Sequence, residues 1–238
     1  MASTGPRSLD ADRRIEIEED GPYVVYGEVP LVRKEQVVSE YGEPLAWKNS
    51  GTIAARSPYR LCRCGRSSDK PFCDSTHREI MFDGLESANT SSTAERQIIY
   101  SGATGICVKR DHSLCTESGF CGTREAGILE LVRHTDDAGV RAQVMAMIER
   151  CPSGSLTYSL EEGGPDVEPD LPAEITVTTE ILSDGPIAGP LWVTGSIQVE
   201  RADGQPLEAR PRLTLCCCGR SKIKPLCDGA HRTIGGVR

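Results

Sequence analysis

A pattern of three cysteines and one histidine occurs twice in this chain, near opposite ends. The first copy runs from Cys62 to His77 and the second from Cys216 to His231. Both copies read Cys-x-Cys-Gly-Arg-Ser, then Lys-Pro-x-Cys-Asp, then His, with identical spacing, and a β-like segment beginning Gly-Pro precedes each. This shared order and spacing predict two similar modules, each folded around the same set of side chains.

The composition also favours small modules over one large core. The 238 residues include 24 Gly and 15 Pro, and only 5% are aromatic. Small modules bury proportionally little surface and often need a metal to hold them together. Eleven cysteines, an odd number in tight clusters, favour metal binding over a disulfide framework, because the amino end lacks the apolar stretch of a secretory signal. We therefore expect a reducing compartment, the cytoplasm.

Charge and hydropathy argue against two classes of partner. The net charge of −8 disfavours binding to nucleic acid or to anionic membranes, because both bind more strongly to a basic surface. The sequence contains no run of 18 apolar residues, so no membrane span is predicted. No nucleophile–base pair or phosphate-binding glycine loop is recognisable either, and we expect the protein not to be an enzyme.

The spacing within each copy suits metal coordination. In an extended strand residues i and i+2 point the same way, so Cys62 and Cys64 can direct both thiolates at one metal. Cys73 and His77 are four residues apart, which places them on one face of a helical turn. A helix that begins near this cysteine would also favour its thiolate form. The corresponding residues of the second copy are Cys216, Cys218, Cys227 and His231.

Three thiolates and one imidazole fit two kinds of site. Structural zinc accepts a Cys3His set, usually with two to four residues between paired ligands. A 2Fe–2S cluster also takes four protein ligands, and histidine can replace cysteine on one iron. A neutral imidazole removes negative charge and so eases electron uptake, and its second nitrogen couples the site to pH. From the residues alone, the zinc and iron–sulfur interpretations both stay open.

The second copy resembles the CDGSH iron–sulfur (NEET) family and matches its pattern C-x-C-x2-S-x3-P-x-C-D-G-A-H without departure. The first copy departs from the pattern at Ser75, where the family has Gly. If this position requires a positive φ, serine costs about 1 kcal/mol there. The resemblance implies two 2Fe–2S clusters, and Cys217, between two ligands, is expected to be a spare thiol. The implied ligands are Cys62, Cys64, Cys73 and His77 for one cluster, and Cys216, Cys218, Cys227 and His231 for the other.

A third group of cysteines lies between the two copies. Cys115 and Cys121 flank Ser118, and Cys151 begins a Cys-Pro pair, in an order that resembles a divergent single-cluster ferredoxin domain. By that resemblance Cys115, Cys121 and Cys151 bind a third cluster, either 3Fe–4S or 4Fe–4S with a non-cysteine fourth ligand. Cys107, within a predicted strand, is expected to be a non-ligand thiol. The alternative is a degenerate ferredoxin-like fold without metal.

The expected fold class is α+β, with two small β-rich CDGSH modules flanking a ferredoxin-like α+β domain. The segment 97–110 predicts a strand, and Val140 to Arg150 predicts a helix with apolar residues on one side. Since CDGSH chains commonly pair, the resemblance implies a pseudo-dimer of the two modules within this chain. The expected boundaries are a flexible tail at 1–20, the first module at 21–82, a linker at 83–96, the middle domain at 97–160, a linker at 161–172 and the second module at 173–238.

Three functions follow from these expectations. The first, which we expect, is electron transfer between redox partner proteins through two 2Fe–2S clusters and a third cluster. The second is donation of a cluster to an acceptor protein, or redox and pH sensing, in which protonation of the histidine loosens the cluster. The third is a zinc-stabilised structural protein without redox activity.

Overall fold

The computed structural model describes residues 13–233. A flexible tail was expected at 1–20. Residues 1–12 lie outside the described residues, and for residues 13–20 the prediction is wrong. Arg14–Ile17 forms a strand in which Ile15 and Ile17 are buried and their neighbours are partly exposed. This alternation is typical of a strand that covers a core with one face. The charges on its outer face gave the segment the composition of a tail.

Residues 13–233 contain twelve strands and four α-helices. The strands are β1 (Arg14–Ile17), β2 (Tyr23–Tyr26), β3 (Leu31–Val38), β4 (Pro44–Ile53), β5 (Tyr59–Leu61), β6 (Ile98–Ser101), β7 (Cys107–Arg110), β8 (Leu156–Ser159), β9 (Ile175–Leu182), β10 (Gly185–Thr194), β11 (Gln198–Glu200) and β12 (Arg212–Leu215). The helices are α1 (Thr76–Glu79), α2 (Thr93–Arg96), α3 (Ile128–Leu131) and α4 (Ala138–Arg150). Short 3-10 turns lie at His112–Leu114, Val132–His134 and Ala230–Thr233.

Two mixed sheets each combine strands from both ends of the chain. Their orders are β11-β1-β2-β5 and β12-β10-β9-β3-β4. Strand β3 of the first repeat pairs in parallel with β9, and β11 of the second repeat pairs in parallel with β1. The registers correspond, with Ile15 opposite Val199 and Leu31 opposite Ile175. The two repeats therefore exchange one strand reciprocally, and each sheet is complete only with the other repeat.

One apolar core lies between these two sheets. It contains buried side chains from both repeats, among them Tyr23, Leu61, Leu191 and Leu215. Strands β5 and β12 line this core and lead directly into the two Cys-x-Cys segments. The packing of the shared core therefore fixes where each cysteine pair lies.

The middle domain is an antiparallel sheet of β6, β7 and β8 with helix α4 packed on it. The strand predicted over 97–110 is in fact two strands, joined by a turn in which Gly105 has a φ of 83°. The predicted helix is present as α4 and begins at Ala138, because the Asp137 carboxylate accepts hydrogen bonds from the N–H groups of Gly139 and Val140. The expected α+β class is confirmed, since β-rich ends flank a central domain that holds the longest described helix.

Segment 83–96, which was expected to be a linker, is held in place by hydrogen bonds. Ser92 and Glu95 form a capping box at the start of α2. The N–H groups of Ser87 and Ala88 donate to the carbonyl of Lys224 at 2.8 and 3.0 Å, which ties segment 83–96 to the second module. Among the helices of residues 13–233, none combines the length and apolarity needed to cross a bilayer.

Candidate metal centres

The first centre begins where β5 ends. Cys62 and Cys64 direct their sulfurs to the same side, with the two Sγ atoms 3.7 Å apart. Two ligands at bond lengths of about 2.3 Å on a tetrahedral metal stand about 3.8 Å apart, so this pair has the spacing to bind one metal. Gly65 follows with a φ of 75°, a backbone conformation that favours glycine and turns the chain away from the pair.

The second pair of the first centre lies around the start of α1, with Cys73 before the helix and His77 within it. The Sγ atom of Cys73 lies 3.3 Å from Nδ1 of His77, as the four-residue spacing predicts. The N–H of Cys62 donates to the Pro71 carbonyl at 2.8 Å, and the N–H of Cys73 donates to the Arg60 carbonyl at 3.0 Å. These two backbone hydrogen bonds bring the Cys62–Cys64 pair and the Cys73–His77 pair next to each other.

The second centre repeats this geometry. The Sγ atoms of Cys216 and Cys218 are 3.7 Å apart, and Sγ of Cys227 is 3.4 Å from Nδ1 of His231. The backbone bonds from Cys216 to the Pro225 carbonyl (2.8 Å) and from Cys227 to the Thr214 carbonyl (3.0 Å) also recur. The structure therefore brings together the two pairs that the sequence predicts for each centre.

The serine and the aspartate of the repeated pattern support the loop between the two pairs. The Ser67 hydroxyl donates to the Phe72 carbonyl at 2.6 Å, and the Asp74 carboxylate accepts from the N–H of Ser68 at 2.7 Å. Hydrogen bonds from Ser68 and Thr76 to the Asp74 carboxylate hold the pKa of Asp74 below its usual range. Sequence reasoning noted both residues only as parts of a motif. The corresponding bonds in the second module are Ser221 to Leu226 (2.7 Å) and Lys222 to Asp228 (2.8 Å).

The donors of each module are arranged as two pairs. Across residues 13–233, no group of three or more His, Cys, Asp or Glu side chains is close enough to hold a single metal ion. A structural zinc ion requires its four ligands around one point, whereas a 2Fe–2S cluster takes two ligands on each of two irons. The paired arrangement has the form that two ligands on each of two irons would require.

Burial opposes ionisation of the thiols. Removal from water raises the pKa of Cys64 to about 11 and the pKa of Cys227 well above its usual value. The hydrogen bond between Cys216 and Cys218 lowers the pKa of the first and raises the pKa of the second, so this pair gives up one proton readily and the other reluctantly. A metal cation at the pair offsets this cost, because a coordinated thiol is deprotonated.

The two centres lie against each other. A Cβ built on Gly65 would stand 2.5 Å from the carbonyl oxygen of Cys218, and one built on Gly219 would stand 2.5 Å from the carbonyl oxygen of Cys64. The Tyr23 hydroxyl of the first module donates to the carbonyl of Cys216 at 2.7 Å. A cavity of about 180 Å³ is bordered by ligands of both modules. The resemblance implied pairing of the two modules but not these individual contacts, for which the glycine after each Cys-x-Cys pair was a possible signal.

The surroundings of the two histidines differ. Nε2 of His231 lies 3.1 Å from Oε2 of Glu180, a carboxylate that is 0% exposed, and the Arg232 guanidinium donates to the same oxygen. His77 instead borders an open cavity of about 450 Å³. The carboxylates that line this cavity belong to Glu18, Glu19, Asp20 and Asp83. Both histidines are buried, but the second contacts a buried ion pair and the first adjoins an acidic cavity.

Ser75 and Gly229 occupy the same position of the pattern and have different surroundings. Ser75 and Gly229 both have positive φ, 74° and 84°. Ser75 is exposed, whereas a Cβ on Gly229 would meet the carbonyl oxygen of Thr116 at 3.1 Å. Thr116 follows Cys115, so the turn between Cys227 and His231 packs directly on the cysteine loop of the middle domain. Serine is tolerated in the first module because this neighbour is missing there.

The middle domain brings three thiols into one region. Burial, together with the nearby thiols of Cys151 and Cys115, raises the pKa of Cys121. Cys107 lies on β7, and its thiol donates to the Gly105 carbonyl at 3.5 Å, in keeping with the expected non-ligand role. The carbonyl of Ser118 accepts from the buried Gln36 side chain at 2.9 Å, which anchors the cysteine loop to β3.

Comparisons with known protein families agree with this arrangement. The family described as "Iron-binding zinc finger CDGSH type" matches residues 20–78 and 188–232. The chain therefore has tandem CDGSH regions. The family described as "Divergent 4Fe-4S mono-cluster" matches residues 100–161, between the two CDGSH regions of this tandem CDGSH protein. The predicted resemblance is confirmed, and the chain is an iron–sulfur protein. Neither the comparison with curated proteins nor the comparison with solved structures gives a match.

Proposed function

We propose that this tandem CDGSH protein transfers single electrons along a row of three iron–sulfur centres. The row runs from the middle domain to the second CDGSH centre and then to the first. In this proposal the four donors of each CDGSH module hold a 2Fe–2S cluster. Cys115, Cys121 and Cys151 hold a 3Fe–4S or a 4Fe–4S cluster. When bound, each cluster supplies a one-electron couple.

The observation that carries the proposal is the packing of the three ligand loops in series. The backbone of Thr116, next to Cys115, touches the turn at Gly229. On its other side the second centre touches the first through Gly65 and the Cys218 backbone. Ligand loops in direct contact place their redox centres close together with protein, and not bulk water, between them.

Rigid packing supports the junction between the middle domain and the second module. The Trp47 ring lies 5.4 Å from Phe120, within the cysteine loop, and 5.7 Å from Trp192 on β10. The buried Arg212 guanidinium donates to the carbonyls of Ile148 and Glu149 at 3.0 and 2.8 Å. These contacts fix the distance between the two loops, which a relay requires.

The chain's own residues set the conditions for the reaction. Buried side chains exclude water from the second centre, and the acidic surface beside His77 offers a docking face for a basic redox partner protein. The proposal includes a non-enzymatic role in the cytoplasm, where reduced thiols persist. All eleven cysteines are free thiols in the structure, in keeping with such a compartment.

Cluster donation is the second candidate, and the first centre favours it. Ser75 is exposed, and His77 adjoins the open acidic cavity. An acceptor protein could approach this centre directly. A zinc-stabilised scaffold is disfavoured by the separation of the donors into pairs.

Iron, zinc and sulfide analysis of anaerobically purified protein, followed by a redox titration monitored by electron paramagnetic resonance, tests the proposal. We expect about two iron atoms and two sulfides per CDGSH module, and reversible one-electron reduction with the clusters retained. Protein that contains zinc and no acid-labile sulfide would overturn the proposal. Loss of clusters on reduction, with uptake by an apo-ferredoxin, would favour donation over electron transfer.

A further inference from the structure

Glu180 is a fully buried carboxylate on β9 in contact with a proposed iron ligand. Its Oε2 atom lies 3.1 Å from Nε2 of His231 and accepts a second hydrogen bond from Arg232, while Oε1 has no hydrogen-bond partner. Burying a carboxylate is costly unless it is paired. The contacts with His231 and Arg232 are therefore what stabilise Glu180 in this position.

The first module lacks this contact, although its fold has the equivalent position. Ile15 and Ile175 correspond, because each lies opposite the exchanged strand of the other repeat. Five residues further along, Glu180 corresponds to Asp20. Strand β1 ends at Ile17 whereas β9 continues to Leu182, so Asp20 is exposed and its carboxylate accepts from the Gly84 N–H at 2.8 Å.

The second nitrogen of the His77 ring consequently has no carboxylate partner among the described residues. Among the described residues its one hydrogen-bonding contact is with Cys73. Nδ1 of His231 faces Cys227 in the same way, but its other nitrogen is fixed by Glu180. The two histidines therefore share one contact and differ in the second.

We propose that Glu180 is a positioning residue that keeps His231 on its iron, so that the second module holds its cluster more tightly than the first module does. This inference rests on the proposed ligand set. A carboxylate on the second nitrogen of a metal-binding histidine fixes the tautomer and ring orientation and makes the ring a better ligand. Loss of such a partner typically weakens metal binding 10–100-fold.

Release from the first module is a ligand substitution without electron transfer. In the first module His77 would be the ligand most readily replaced by an acceptor cysteine, and Cys62, Cys64 and Cys73 would exchange for further acceptor thiolates. Protons lost by the acceptor thiols are taken up by the released module thiolates and the solvent. The acidic cavity beside His77 gives an acceptor access to this side of the first centre, whereas Thr116 covers the turn at Gly229 in the second.

Cluster transfer from anaerobic holoprotein to an apo-ferredoxin, followed by visible absorption, tests the inference. We expect two phases, and the variants His77→Cys and His231→Cys assign each phase to a module. Glu180→Gln should accelerate the slow phase about 10–100-fold and change the nitrogen hyperfine coupling of the second cluster in pulsed electron paramagnetic resonance. Glu200→Gln, on β11 and outside both ligand sets, is the control and should leave both phases unchanged.

A double variant separates positioning from general stability. In the His231→Cys background Glu180→Gln should have no further effect, because the ring on which Glu180 acts is gone. Equal acceleration in both backgrounds would overturn the inference, as would a single phase for both modules. If Glu180→Gln does not fold, Arg232→Gln should give a smaller acceleration of the same phase. An unchanged rate of that phase would contradict the inference.

These outcomes are distinguishable from failure of the proposed function. A preparation without acid-labile sulfide overturns the ligand set and, with it, the role of Glu180. Two intact clusters with a slow phase that does not respond to Glu180→Gln overturn the role of Glu180 alone.

Discussion

The two CDGSH modules have the same local geometry and different surroundings. Their paired donors agree within 0.1 Å, with sulfur–sulfur distances of 3.7 Å in both and sulfur–nitrogen distances of 3.3 and 3.4 Å. The hydrogen bonds of the supporting serine and aspartate recur as well. Outside the pattern, however, the first module faces an acidic surface and the second packs on the middle domain. The repeated motif therefore encodes the centre, and neighbouring residues distinguish the two.

The largest expected effect comes from removing a ligand. Cys62→Ser and Cys216→Ser should each lower the iron content by about two atoms per chain, because a hydroxyl is a poor substitute for a thiolate. Only Cys216→Ser should also loosen the middle domain, since only the second centre packs on the Cys115 loop. Iron analysis and hydrogen exchange check this, and equal protection of that loop in both variants would contradict the asymmetry.

A smaller effect, a loss of stability, is expected when Arg212 is replaced. This residue corresponds to Pro58 in the first module. Arg212 is 0% exposed and holds the carbonyls at the end of α4, with Glu168 at 3.0 Å. Arg212→Met should lower the free energy of unfolding by about 3 kcal/mol, because it leaves buried acceptors and a carboxylate unpaired. Denaturant unfolding measures this change, and Pro58→Ala is the control in the other module. Equal effects would mean that Arg212 does not join the domains.

The glycine position of the pattern allows a reciprocal substitution. Gly229→Ser should destabilise the protein by about 2 kcal/mol, because a positive φ and the nearby Thr116 carbonyl both oppose a side chain. Ser75→Gly removes only the backbone strain and should stabilise by at most about 1 kcal/mol. Thermal unfolding of the two variants compares them. Similar changes of the same sign would show that the middle domain does not constrain Gly229.

The smallest effect is expected at Tyr23, whose counterpart in the second repeat is Leu191. Tyr23→Phe removes the hydrogen bond to the Cys216 carbonyl and should cost about 1 kcal/mol. Burial raises the pKa of Tyr23 well above its usual value, so the hydroxyl stays protonated and the effect should not vary between neutral and mildly alkaline pH. A loss that grows with pH over that range would contradict this assignment.

The ligand pairs were predicted from spacings of two and four residues, which bring side chains together in a strand or a helical turn. The structure pairs the same residues just beyond β5 and β12 and around the start of α1. Helix α4 was predictable for a similar reason, since its apolar residues recur on one side. The short strand β1 was not, because two isoleucines between charged residues are too weak a pattern. The predicted strand over 97–110 failed at Gly105, where a positive φ allows a turn.

Contacts between distant segments could not be predicted from one sequence. The parallel pairing of β1 with β11 depends on which sheet edge is free once the other strands have paired. The sequence of β1 does not indicate this partner. Glu180 lies in a strand rich in Thr and Ile, and nothing in that segment indicates that it meets His231. The middle domain's contact with Gly229 is similarly visible only in three dimensions.

The reciprocal exchange of β3 and β11 has a consequence for how the halves of the molecule can change. A symmetric pair of identical chains must present every substitution twice. Here the peptide linkage lets Ser75 and Gly229, or Asp20 and Glu180, differ without loss of the shared sheets. The same linkage keeps the partners together at any dilution, because their association is intramolecular. Covalent fusion thus allows the two halves to specialise.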